Sequence, residues 1–322
     1  MKIKDLYLKA IEIGINNDFR PREEINRLLQ EEKEKFGKLN EKEKEVFDPD
    51  RLFNPYSDSR LLVGDPETEV QRVIAGIDME VGEILLTYLL RRDRKEKIDL
   101  IISHHPGGRA IAQLHEVMKL QVDLLTSFGI TPSVAEQLME KRIDEVERRL
   151  LPINHNRAVD VARILNLPLI CLHTPADNCV TKYLSNLFRE KAPSRLKDVL
   201  TLLKEVPEYK KSAANSAPPK ILSGSENSRA GKIYVDMTGG TEGSKEIFEK
   251  QVQAGISTVV GMHMSEEALE KAKKANLNVV VAGHIASDTL GLNLLLDQME
   301  KETGEKLEVV SVSGFERIRR LQ

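Results

Sequence analysis

The stretch DLIISHHPGG, residues 99–108, narrows the choice of fold more than any other. Asp99–Ser103 follows the charged run Arg91–Lys97 and is apolar through its middle, which reads as a buried strand. Two histidines come next, then Pro106 and two glycines. Proline cannot donate to a ladder and glycine permits unusual backbone angles, so the strand stops here. The imidazoles then sit on the C-terminal rim of a strand, where an open α/β sheet binds its ligands. Neighbouring residues on a strand point to opposite faces, whereas an irregular turn lets both rings converge. The pair is read either as surface histidines beside a turn or as ligands, histidine being the commonest metal ligand.

The rest of the chain supplies a matching texture. Residues 2–14 carry Ile3, Leu6, Tyr7, Ala10 and Ile11 at helical spacing, and 21–47 read as a second, highly charged helix interrupted at Gly37. Residues 48–60 are turn-rich. From residue 61 onward strands and helices alternate, with strands expected at 61–63, 72–77, 97–103, 167–172, 232–236, 257–260, 278–282 and 307–312. Such alternation predicts an α/β fold with largely parallel or mixed sheets. The segment 211–230, KSAANSAPPKILSGSENSRA, has the composition of a linker. The expected organisation is a helical N-terminal extension over 1–55, a first αβ lobe over 56–210, the linker, and a second αβ lobe over 231–322.

Bulk properties exclude several function classes. A chain of 322 residues with net charge −3 carries no electrostatic footprint for nucleic acid. No apolar run approaches the roughly 20 residues of a membrane span, and the first ten residues lack a signal-peptide apolar core. Two cysteines cannot build a disulfide framework, which points to a reducing, cytoplasmic setting.

Three strand ends carry the same residue types: His104 with His105, His173 with Asp177, and His284 with Asp288. HTPAD at 173–177 and HIASD at 284–288 form a short internal echo, each after a strand and opening a helix. On a helix the His and Asp of each pair stand one turn apart on one face. A single pair is adequately explained as an Asp favoured by a helix N-terminus beside a structural His. All three together read as a cluster. Mixed imidazole and carboxylate donors suit Zn, Fe, Mn, Co or Ni. Five or six donors exceed one tetrahedral ion and suggest two divalent ions, an arrangement that activates water for hydrolysis. Asp78 and Asp236 end strands on the same rim. Cys171 reads as a buried structural thiol, and the TGGTEGS turn at 238–244 as a weak phosphate cradle. His115 and His263 are read as surface or packing residues.

In combination, SHHP after a strand, HTxxD after a later one, the C-terminal GHxxSD, and LLVGDP at 61–66 resemble the Nif-three-like family. These are the homologues of the Ngg1-interacting factor, also labelled GTP cyclohydrolase I type 2 homologues. The resemblance spans about 60–190 and 230–320. It implies two similar αβ lobes, a dinuclear metal site in the cleft between them, and a toroidal homohexamer. It also implies His104, His105, Asp177, His284 and Asp288 as metal ligands, with His173 a ligand or beside them. Asp288 stands where the family usually has Glu, Gly107–Arg109 where it has bulkier residues, and the segment from His105 to His173 is long.

The leading functional expectation is a metal-dependent hydrolase of a small nucleotide- or phosphate-containing substrate. His173 and His155 are its candidate catalytic residues, orienting water or leaving group. The alternative is a non-enzymatic metal-binding oligomer for metal handling or as an interaction partner. A phosphoesterase of the Asp-His-His type is disfavoured because Ser103, not Asp, precedes His104.

Overall fold

The computed structural model describes residues 1–320. The chain opens with α1 (Ile3–Asn17), α2 (Arg22–Lys38), α3 (Glu41–Val46) and a short 3-10 turn at Pro49–Leu52. Then follow β1 (Arg60–Val63), β2 (Arg72–Gly76), α4 (Val81–Asp93) and β3 (Leu100–Ser103). The long segment after β3 folds as α5 (Gly108–Ala112), α6 (Leu114–Val117), α7 (Lys119–Ser127), α8 (Pro132–Leu150) and α9 (Arg157–Ile164). Next come β4 (Leu169–Cys171), α10 (Thr174–Lys191), α11 (Leu196–Glu205), α12 (Pro207–Ala214) and β5 (Lys220–Ser223). The chain continues through β6 (Lys232–Asp236), α13 (Phe248–Gln253), β7 (Ile256–Gly261), α14 (Glu266–Lys274) and β8 (Asn278–Val281). It closes with α15 (His284–Thr303) and β9 (Glu308–Ser311).

The α/β fold has two mixed sheets, ordered β1-β4-β3-β2-β9 and β5-β8-β7-β6. Within each, the central strands are parallel and the edge strand β1 or β5 runs antiparallel. The strands β3 and β4 are buried on both faces, which explains their unbroken apolar sequence. Two details of the chain path differ from the pattern read along the sequence. The stretch 211–230, which has a linker's composition, contains the end of α12 and the strand β5. Its partner β8 supplies the hydrogen bonds that its polar sequence does not advertise. The last strand, β9, pairs with β2 and so belongs to the first sheet.

The two sheets are built alike. Both edge strands slip register, at Leu61/Val63 and at Ile221/Ser223, and both are followed by a glycine at positive φ, Gly64 at 119° and Gly224 at 93°. The start of α1 is hydrogen-bonded to the loop after β1 through Ile3 N to Thr68 O and Lys4 N to Pro66 O, 3.0 Å each. The start of α11 is bonded to the loop after β5 in the same way, Leu196 N to Ser228 O and Lys197 N to Glu226 O, 3.0 Å each. The first helix, α1, is thus joined to the first sheet's unit as α11 is to the second's.

The helices α1, α10 and α15 pack together between the sheets with very little room. A Cβ added to Gly291 of α15 would lie 2.5 Å from the carbonyl oxygen of Ala176 in α10. One added to Gly14 of α1 would lie 2.8 Å from the Pro175 Cβ. This close approach brings the first turns of α10 and α15 together. Alanine is a better helix former than glycine by about 1 kcal/mol, yet the clash here is with backbone. Gly291→Ala is expected to destabilise the protein by about 1–3 kcal/mol, seen as a lower urea midpoint; an unchanged or raised midpoint would show that the helices do not meet this closely.

Candidate metal centre

The backbone at the end of β3 sets the first two imidazoles. His104 N donates to Gly76 O and His105 N to Ile77 O, both at 2.9 Å, while Ser103 Oγ donates to His105 O at 2.7 Å. The chain thus turns immediately after the strand, and the two rings lie in one cluster with centroids 5.2 Å apart. The ring of His173, from the start of α10, lies 4.9 Å from that of His104. The ring of His284, at the start of α15, lies 5.2 Å from that of His105. Gly283, at φ 111°, makes the turn into α15 in a region that other residues rarely enter.

Asp288 stands at the middle. Its Oδ1 is 3.5 Å from His104 Nε2, and its Oδ2 is 3.4 Å from both His105 Nε2 and His284 Nε2. Asp177 Oδ1 is 3.5 Å from the same His104 nitrogen. Both ring nitrogens of His104, both oxygens of Asp288 and Oδ1 of Asp177 are buried without a hydrogen-bond partner. Buried polar groups are rarely left so. Two donors each about 2.0–2.2 Å from one tetrahedral ion stand about 3.3–3.6 Å from one another, which is the spacing seen here. His104, Asp177 and Asp288 form one compact donor group, His105, His284 and Asp288 a second, and His104, His105 and His173 a third.

Further side chains orient this cluster. His105 Nδ1 donates to Asp78 Oδ1 at 2.7 Å, which leaves Nε2 for the centre. His173 Nδ1 donates to Asp58 Oδ2 at 2.8 Å. Asp58 is fully buried, and Oδ2 also accepts from Thr174 Oγ1 at 2.6 Å. Such a carboxylate–imidazole contact fixes the tautomer and ring orientation.

The electrostatics divide the cluster. Burial pushes His104 down to about 4. Burial opposes a charge on His173 too, but Asp177 and Asp58 outweigh it and raise the ring to about 9. Burial lifts Asp177 to about 8. It disfavours the Asp288 charge as well, yet the neighbouring imidazoles hold that carboxyl far below its ordinary value. The N-terminus of α10 has no side-chain cap, so its dipole favours negative charge at Asp177.

A cavity of about 330 Å³ opens onto His105, His173, Asp177, His284 and Asp288. No family model matches the sequence, and no curated protein matches it. Among solved structures, the chain is similar to the NIF3 superfamily protein from Sphaerobacter thermophilus: 28% identity, a TM-score of 0.68, and 80% of this chain aligned to 92% of that one. The fold is that of the NIF3 superfamily, the family that the sequence motifs resemble. It is also the fold of reduced HcgD from Methanocaldococcus jannaschii, at 15% identity and a TM-score of 0.50, over 84% of this chain and 94% of that one.

On this fold the structure brings together His104, His105, His173, Asp177, His284 and Asp288. His155 lies apart, in an adjoining cavity that shares Asp78, Glu80, His105 and Ile111 with the first, and its Nδ1 donates to Ile153 O at 3.1 Å. Sequence reasoning passed over Asp58, which sits in a turn-rich stretch without periodicity. His263, read from the sequence as a surface or packing residue, instead lines the cavity with its ring 5.0 Å from that of His284. The signal for His263 was its place two residues beyond β7, as His105 lies two beyond β3. No helix opens directly from the TGGTEGS turn. Gln121 Nε2 donates to its carbonyls at Gly239 and Thr241, 2.7 Å each, and α13 starts only at Phe248. Cys171 is buried with Sγ 3.6 Å from two carbonyl oxygens, and burial raises its thiol to about 11, so it is structural.

These shifts give the metal-free protein a signed pH dependence. His173 is raised from 6.5 to about 9, so its stabilisation is complete below 6.5 and is lost as pH rises towards 9. Asp177 is raised from 3.8 to about 8, so the folded chain keeps a proton that the unfolded chain releases, and rising pH again costs stability. The denaturant midpoint of metal-free protein is expected to fall as pH rises from 6.5 to about 9; a flat or rising midpoint there would contradict the proposed charge states.

Proposed function

We propose that the cluster is a dinuclear divalent metal centre and that the protein is a metal-dependent hydrolase of a small substrate. The observation that carries this is the Asp288 carboxylate, which faces His104 with one oxygen and His105 and His284 with the other, with no hydrogen-bond donor on either. His104, Asp177 and Asp288 would hold one ion, and His105, His284 and Asp288 the other. The donor set fits Zn, Fe, Mn, Co or Ni. Bound ions would supply electrophilic polarisation of the substrate and a nucleophile at neutral pH.

The chain's own residues complete the proposed machinery. Asp58 holds the Nδ1 proton of His173, so Nε2 is the atom through which His173 exchanges a proton with the reacting group. Asp78 orients His105 in the same manner. The cavity of about 330 Å³ suits a small molecule. By family resemblance the protein is a homohexamer, and a monomer in sedimentation at micromolar concentration would overturn that part.

The assignment separates two substitutions. Elemental analysis of reconstituted protein is expected to give two ions per chain. Asp177→Asn should lose the His104-side ion alone, whereas Asp288→Asn should weaken both. Loss of a single ion in Asp288→Asn, or full retention, would remove Asp288 from its bridging place. Asp58→Asn, with metal content retained, should lower turnover about 10–100-fold. A fully metal-loaded protein that hydrolyses no member of a panel of phosphoesters, amides and nucleotides would favour the non-enzymatic metal-binding reading.

A further inference from the structure

The wall of the metal-centre cavity has an unusual charge pattern. Besides Asp177 and Asp288 it carries Asp78, Glu80, Asp236 and Glu242, and among the described residues no Lys or Arg lines it. Two of these carboxylates have protein partners: Asp78 accepts from His105 at 2.7 Å and Glu242 Oε1 from Ser265 N at 2.9 Å. Among the described residues none donates to the carboxylate of Asp236. Burial, with Glu242 beside it, raises Asp236 to about 6, so near neutral pH it is a charge lacking a partner. The fold does not require a carboxylate there. Asp236 pairs with Gly261 at the end of β6 as Gly76 pairs with Ser103 at the end of β2, so the first sheet has glycine at the matching place. A second observation points to a ligand in this cavity. Its floor is made by Asp288 and Asp177, 1% and 4% exposed, with unpartnered oxygens. The remaining wall is apolar, with Ile111, Leu114, Met237 and Met262.

We infer that the Asp236 and Glu242 wall is a cation subsite, and that the substrate carries a protonated amine or guanidinium group at the end remote from the metal centre. The inference rests on the metal-centre reading given above. A phosphate-bearing substrate fits this wall poorly, since its charge would face the carboxylates of Asp236 and Glu242. The apolar side chains accommodate the short spacer between the reacting group and the cationic end. Asp236 is thus a specificity residue, separate from the ion-holding side chains.

The test uses metal-loaded full-length protein and calorimetry with γ-guanidinobutyrate, γ-aminobutyrate, butyrate and inorganic phosphate. Their carboxylates or phosphate supply the metal-directed end, and only the first two add a cation. The guanidino and amino compounds are expected to bind at least tenfold more tightly than butyrate. Asp236→Asn should abolish that advantage while leaving butyrate affinity and metal content unchanged, and Glu242→Gln should reduce it. Equal affinities for all three carboxylates, or phosphate as the tightest probe with no effect of Asp236→Asn, would overturn the inference while the bound ions uphold the metal centre. Protein that takes up no ions would overturn the metal-centre reading, and the cation subsite with it.

Discussion

A buried carboxylate without hydrogen-bond donors is the constraint on which this structure turns. Removing an ionised group from water costs several kcal/mol even after the protein relaxes. Asp288 is 1% exposed and meets that cost with three imidazoles rather than with an arginine or a ring of amides. Those imidazoles come from β3 and from the start of α15 itself, so the position of one side chain depends on a sheet end, a helix start and their packing. The close approach of α15 to α10 at Gly291 brings in Asp177, and α10 carries His173 with it.

The likeness of the two sheets explains why the centre is asymmetric. Strand register makes Leu172 equivalent to Ala282, each donating to the end of the neighbouring strand at Ser103 or Gly261. His173 is then equivalent to Gly283, and the HTPAD and HIASD segments are out of step by one residue. The echo is a coincidence of composition, and the two unequal halves contribute unequal donors. The first supplies two adjacent histidines and a buried Asp58. The second supplies Met262 and His263 at the places of His104 and His105, and it leaves an acidic wall where the first has the orienting contacts.

Much of this was legible from residues alone. Strand ends were marked by Pro106, by the glycines and by the step from apolar runs to histidine, so the α/β alternation and the six central side chains could be placed on one rim. The strand β5 was hidden because an edge strand beside Pro, Ser and Gly has no apolar periodicity, and only pairing with β8 makes it a strand. Asp58 was hidden for a related reason. Its role comes from a contact with His173 across more than a hundred residues of chain, which no local pattern records. The pairing of β9 with β2 is likewise a long-range choice, invisible to spacing.

That last pairing bears on how the molecule is made. Arg72–Ala75 can acquire its neighbour Glu308–Ser311 only after nearly the whole chain has been synthesised. Until then the edge of β2 is an unpaired template, the kind of surface through which partly folded chains associate. His284 and Asp288 are late in the chain as well. A nascent chain therefore carries His104 and His105 at the end of β3 well before Asp288 arrives, and the β2 edge stays unpaired through the same interval.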